Sequence, residues 1–188
     1  MPAKPSLVVT VAVLAAISER PRHAYEIWST MRARGQDHLL GTSSTAVYDT
    51  VRRLARDGLL EVDRRGREGA RPERTVYRAT PGGLRILRRE VAGLLGDTGD
   101  DVRRFQIGLT FMFVLPRPEV IDLLSERADR QTALIADVER QLAATSTPAV
   151  FLTEHEYRLA LRRSELTWLR GLTDLIGNAH TDWPRADT

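Results

Sequence analysis

Residues 41–78, GTSSTAVYDTVRRLARDGLLEVDRRGREGARPERTVYR, constrain the fold more tightly than any other stretch. Thr42 and Ser43 are good helix N-caps and Gly58 is a good stop, so a helix is expected from there to about Arg56. At about 100° per residue, Val47, Val51, Leu54 and Ala55 share one side; Thr45, Ala46, Asp49, Arg52, Arg53 and Arg56 share the other. Residues 59–65 then alternate Leu60 and Val62 with charged neighbours, the pattern of a half-buried strand. A Gly/Arg/Pro loop leads to a second strand over 74–79. The helix must lay its apolar stripe on a core shared with the hairpin, and the Arg-bearing faces stay outside.

A two-faced helix running into two strands joined by an Arg-rich turn is the order in which a winged helix-turn-helix presents itself to duplex DNA. A recognition helix enters the major groove with its N-terminal residues near base edges, while later residues meet phosphates. Thr45 and Asp49, with Ala46 beside them, are therefore candidates for base contact. A carboxylate accepts from the cytosine amino group but is repelled by phosphate. Arg52, Arg53 and Arg56 are candidates for phosphate contact. Tyr48, at the edge of the core face, can pack its ring and turn its hydroxyl to a phosphate. The wing adds Arg64, Arg65, Arg67, Arg71 and Arg74 within eleven residues, opposed only by Glu68 and Glu73. Any two-faced helix has a charged outer side, so the helix alone decides little. A hairpin crowded with Arg gains nothing in folding from self-repulsion, and an anionic partner explains it better.

The charge distribution supports a division of the chain. Residues 1–90 hold 17 Lys+Arg against 10 Asp+Glu, a net +7, whereas residues 91–188 hold 11 against 15, a net −4. A length of 188 residues suffices for two small domains. The linker GDTGDD at 96–101 is the expected boundary, giving a DNA-binding domain over 1–95, a helical domain over 102–176 and a loose tail over 177–188 that includes Trp183. Residues 7–17 read as a buried first helix, too short to span a bilayer and without a cleavage site. A second helix is expected from near His23 to Gly35, with Tyr25, Ile27, Trp28 and Met31 on its apolar side, then a polar turn over 36–41. Thr80-Pro81 caps a further helix to about Leu95. Beyond the linker, helices are expected over 105–115, 118–144 and 154–176. Ile121, Leu124, Ala128, Gln131, Ile135, Val138 and Leu142 follow a 3,4 spacing that keeps facing one partner. The fold class is thus mainly α with a small β-wing.

The stretches RHAYEIWSTM, STAVYDTVRRLARDGLLEV and ARPERTVYRATPGGLRIL resemble the PadR family of bacterial transcriptional regulators over residues 7–90. The second half, with FQIGLTFMFVLPRPEVIDLL and a last helix containing Leu166-Thr167-Trp168-Leu169, is similar in pattern to that family's larger helical dimerisation domain. The resemblance implies a winged helix-turn-helix, dimeric, that represses its own or a neighbouring operon from an inverted-repeat operator, with a small-molecule effector as a further partner. Asp49 stands where the family often has Pro, and Ala46 replaces a common Thr, so base contacts do not carry over from relatives at these two positions and a different operator is expected. Dimer contacts are expected from Ile121, Leu124, Ala128, Ile135, Val138 and Leu142 on one helix and from Leu161, Trp168 and Leu172 on the last.

Other residues point to structure rather than chemistry. His23, beside Tyr25 and Glu26, is expected to cap the second helix. Glu154-His155-Glu156 suits a solvated helix N-terminus. His38 and His180 lack ligand-spaced companions. No nucleophilic triad, phosphate-cradling loop or paired carboxylate stands out, so neither an enzyme nor a cofactor or metal is expected. Phe111, Tyr157 and Trp168 are candidates for an effector pocket, although aromatics at helical spacing are more often core or interface. There is no cysteine, which suits a cytoplasmic protein. The alternative function is a winged-helix module whose Arg residues meet an acidic protein.

Overall fold

The apolar run near the start forms α1 (Leu7–Glu19), in which every residue from Val9 to Ile17 is buried. A helix apolar all round has no face to give to water, so other elements must enclose it. In the computed structural model, which describes residues 7–66, 74–97, 101–178 and 183, those elements are α2 (Ala24–Ala33), α4 (Ser44–Arg56), α5 (Pro81–Gly96) and α6 (Val102–Phe111), with strand β3 (Arg74–Ala79). The sheet is antiparallel in the order β1-β3-β2, where β1 is Arg22–His23 and β2 is Leu60–Gly66.

Several local expectations are met by visible caps. Ser43 Oγ accepts from Ala46 N at 3.3 Å to start α4, and Thr80 Oγ1 accepts from Gly83 N at 3.1 Å to start α5. Four departures have physical reasons. Residues 36–41 are not a plain turn but hold a short helix, α3 (Gln36–Leu40), because Leu40 is drawn into the core. Strand β1 is only two residues long and becomes a strand by pairing Arg22 with Tyr77 and His23 with Val76. Val62 is 44% exposed rather than half-buried with Leu60, and just beyond it the β2–β3 register shifts between Val62 and Arg64. Finally, α6 ends at Phe111 and the chain continues as a 3₁₀ turn, Met112–Val114.

The expected boundary at 96–101 does not divide the core. Buried side chains of α1, α4, α5, α6 and of α7 (Arg117–Ala144) form one cluster, joined by Leu169 and Ile176 of α8 (Thr153–Gly177). The two helices approach closely at Gly108 of α6, where a Cβ would lie 3.0 Å from Leu95 N and 3.1 Å from Leu94 C of α5. The tail is not wholly loose either: Trp183 packs on the core and its Nε1–H donates to Leu115 O at 3.1 Å.

The α7 stripe corrects the expected dimer contacts. Leu124, Ala128, Gln131 and Ile135 are buried within one chain, where α7 pairs with α8 as a hairpin, and Ile121, Val138 and Leu142 are half-buried. A 3,4 stripe needs a partner, and the 3₁₀ turn Ala149–Leu152 brings one back from the same chain. Among the described residues no helix is long and apolar enough to cross a membrane.

Replacing Gly108 by Ala should cost about 1–3 kcal/mol by forcing α5 and α6 apart. By contrast, Gly93→Ala in α5, where nothing lies within 4 Å of the added Cβ, should stabilise by about 0.5–1 kcal/mol. Thermal unfolding of the two variants checks the seam; equal and small shifts would remove it.

Candidate nucleic-acid interface

α4 is held by Val47, Thr50, Val51 and Leu54, all buried, which fixes its outer face. That face exposes Thr45, Asp49, Arg52 and Arg56, with Ala46 half-buried among them. Tyr48 is half-buried and packs its ring against the core. Asp49 meets Arg52 one turn on at 3.8 Å, with both side chains about two-thirds or more exposed, 68% and 73%. A pair so solvated is worth little and yields readily to another partner. Arg64 is exposed on β2; Arg65 and Arg74 stand on β2 and β3. Arg67 and Arg71 lie outside the described residues.

Arg53 departs from the expected phosphate role. Its Nη2 donates to Thr10 Oγ1 of α1 at 2.8 Å and its Nη1 to Asp57 Oδ2 at 3.3 Å, with 28% of the side chain exposed. The wheel put it outside, but a long flexible arm at the edge of a helix can turn back along the surface. It ties the recognition helix to the central one.

The approach of α2 is set by a second group of charges. His23 is the N-cap: its Nδ1 accepts from Tyr25 N at 3.1 Å, and His23 N donates to Glu26 Oε2 at 2.9 Å. That backbone donor holds the Glu26 carboxyl below its ordinary value, helped by Arg20 and Arg22 against the effect of burial. Arg22, 4% exposed, reaches Glu19 at 2.5 Å and Thr30 Oγ1 at 2.7 Å. Burial lowers its pKa, and Glu19 draws it back. Arg34 grips the same Glu19 with two bonds, 2.5 and 3.0 Å, which raise its pKa. Tyr25, expected on the apolar side of α2, is instead 55% exposed. Only its place in the first turn, clear of the Ile27–Met31 core face, could have signalled this.

The helical half presents a different surface. Leu161, Trp168 and Leu175 of α8 are 52%, 49% and 60% exposed at seven-residue intervals, with Tyr157 in line at 65%. Leu172, by contrast, is half-buried against the core. The three aromatics proposed for an effector do not form one pocket. Phe111 is buried in the core, and Tyr157 and Trp168 are separated along α8 by about 16 Å at 1.5 Å per residue. An open cavity does exist between α6, α7 and α8, but none of the three lines it. Sequence reasoning missed its polar members, Arg127 and Gln131, since one stood off the apolar stripe and the other was taken as part of it. His155 sits exposed beside Glu154 at 3.3 Å, as a helix N-terminus allows.

A capped recognition helix seated on a buried helix, with a β-hairpin beside it, defines a winged helix-turn-helix protein. Residues 13–89 match the profile of the Transcriptional regulator PadR-like family. Among solved structures the chain is similar to Bacillus subtilis PadR in complex with operator DNA, at 21% identity and TM-score 0.38, covering 90% of this chain and 99% of that one. It is similar to a Streptococcus mutans protein, smu.1604c, at 22% identity and TM-score 0.40, covering 86% and 96%. A PadR-like transcriptional regulator from Bacillus cereus shows 17% identity and TM-score 0.41, covering 94% and 99%. No curated protein matches the sequence.

Two outcomes follow. Arg53→Ala should destabilise the fold by about 1–3 kcal/mol through loss of its bonds to Thr10 and Asp57, while Arg52→Ala should stay within about 0.5 kcal/mol of wild type; equal losses in denaturant unfolding would refute the internal role. Because the folded Glu26 carboxyl is the stronger acid, its stabilisation is complete above the ordinary glutamate value of about 4.3 and is lost as pH falls through the lowered folded value. Glu26→Gln, which still offers the cap an acceptor, should therefore lose less stability than wild type between about pH 5 and 3. Superimposable acid limbs in thermal scans would show that the charge contributes nothing.

Proposed function

We propose that this chain is a sequence-specific, dimeric repressor of transcription that binds an inverted-repeat operator near its own or a neighbouring operon. One observation carries the reading: Thr45, Asp49, Arg52 and Arg56 are together on the outer face of a capped helix, beside an Arg-bearing hairpin. Thr45 and Asp49, with Ala46, face base edges, and Arg52, Arg56, Arg64 and the hydroxyl of Tyr48 meet phosphates. Arg65, Arg67, Arg71 and Arg74 extend the cationic wing along the backbone or into the minor groove. The match of residues 13–89 to a family of transcriptional regulators supports the assignment.

A second copy covers the apolar line of Tyr157, Leu161, Trp168 and Leu175. Contiguous exposed apolar surface on a charged protein marks such contacts. Two-fold pairing there sets two copies of α4 on successive major-groove turns, about 34 Å apart, so the operator is palindromic. An effector releases the operator by binding one spacing of the two wings better than another. The site of action is the cytoplasm.

Footprinting on the upstream DNA should protect an inverted repeat. Arg52→Ala, Arg56→Ala and Arg64→Ala should each weaken all duplexes alike and reduce the slope of log Kd against log salt by about one. Thr45→Ala and Asp49→Ala should instead change which operators are tolerated. Unaltered gel shifts in all five variants would end the proposal.

A further inference from the structure

The segment between α2 and the recognition helix has little of its own to hold it. α3 has five residues, too few for a helix to persist unsupported. Leu40 anchors it in the core, and Gly41 then ends it at a φ of 56°. Within the segment Gly41 N donates to His38 O at 3.2 Å and Thr42 N to Asp37 O at 3.3 Å, both long bonds. Thr42 Oγ1 is buried and finds no hydrogen-bond partner among the described residues. A buried hydroxyl without a partner costs free energy that is recovered when water reaches it. The turn therefore leans toward opening, and the next residue, Ser43, is the N-cap of α4.

One side chain from the helical half closes this turn. Arg103 of α6, 64 residues from Leu39 along the chain, donates from Nε to Leu39 O at 2.8 Å. Its guanidinium also lies over Gly41, where a Cβ would be 2.5 Å from Nη2. Arg103 is itself firmly mounted in the first turn of α6. Asp101, the N-cap, accepts at Oδ1 from Arg103 N at 3.1 Å and from Arg104 N at 3.3 Å. Arg104 Nε holds Asp97 Oδ2 at 2.8 Å, and the buried ring of Phe105 seats the same turn in the core. The Arg103 side chain remains exposed, so its bond contributes little to global stability. Its effect is local: it decides where the turn lies.

That position matters unequally to the groups of α4. Thr45 and Ala46 follow the turn directly and are short, so a shift of their backbone carries them away from a base edge. Arg52 and Arg56 stand further along on long arms, and such arms absorb a small shift and still reach a phosphate. A binding constellation loosens when its supports let it move by about 0.5 Å. Loss of the brace therefore falls on recognition of sequence and spares the attraction to any duplex.

We propose that Arg103 is a positioning residue for operator recognition: its grip on Leu39 O and its place over Gly41 set where α4 begins, and hence how Thr45 and Ala46 meet base edges. The inference rests on the DNA-binding reading. It adds to that reading a residue beyond 13–89, the stretch that matches transcriptional regulators.

Two variants of the full chain test it: Arg103→Met keeps the stem and removes the donors, and Arg103→Lys keeps a charge and a donor. Arg103→Met should weaken operator binding about tenfold while its Kd for mixed-sequence duplex stays within about twofold of wild type. The slope of log Kd against log salt should not change, because no phosphate contact is lost. Arg103→Lys should recover operator binding to within about threefold of wild type. Without DNA, amide exchange at Gly41, Thr42 and Ala46 should quicken about fivefold or more in Arg103→Met, with the buried Ile27 and Val51 unaffected. Unchanged exchange at those three amides, operator affinity within about twofold of wild type in Arg103→Met, or equal losses on operator and mixed duplex would each overturn the proposal. So would a salt slope reduced by about one, which makes Arg103 a phosphate contact instead. Failure of the DNA-binding reading would show in wild type itself, as an absent operator complex, so the two failures are told apart.

Discussion

The enclosure of α1 is the constraint on which the rest of the molecule depends. From Val9 to Ile17 it offers no polar stripe, so water must be excluded on every side. α2 and α4 cover part of it, β3 another part, and α5 and α6 the remainder. The winged helix-turn-helix and the helical half are in this sense two sides of one wrapping. α5 is common to both, with Leu87, Val91, Leu94 and Leu95 all buried. That sharing is why a polar linker after Gly96 does not mark a break in the core.

Arginine does two different jobs in this protein, separated by whether the guanidinium is bonded to a distant element. Arg22, Arg53, Arg103 and Arg127 each tie one element to another, to Thr30, Thr10, Leu39 and Glu165 respectively. Such long arms gain apolar cover for their stems and hydrogen bonds for their heads, so they work as cross-braces between helices. Arg52, Arg56 and Arg64 stay in solvent, where a cation costs the fold little and remains available to a polyanion. Two of the braces converge on the first turn of α6. The fold thereby joins the start of α4 to the side of the molecule that holds the cavity between α6, α7 and α8.

Much of the fold was legible because it is written locally. Ser43 and Thr80 announce helix starts by their own side chains, and the 74–79 strand and the long helix ending at Ala144 follow from the spacing of apolar residues. The outer positions of Thr45, Asp49, Arg52 and Arg56 follow from Val47, Val51 and Leu54 by geometry alone. What escaped lacks a local signature. A two-residue strand such as Arg22–His23 exists only through its pairing, and a bulge near Val62 depends on how the partner strand lies. Arg53 and Arg56 are three residues apart with the same chemistry, and only the nearness of Thr10 turns one of them inward.

The amino-acid order by itself determined the winged helix-turn-helix, the recognition face of α4 and the helical character of the second half, because caps and periodicities act within a few residues. Tertiary structure alone decided that the 3,4 stripe of α7 is satisfied inside its own chain, leaving α8 to face outward. It also decided that Arg127 and Gln131 become the buried wall of a cavity. Both outcomes depend on which distant surface reaches a residue first, and spacing along the chain carries no such information.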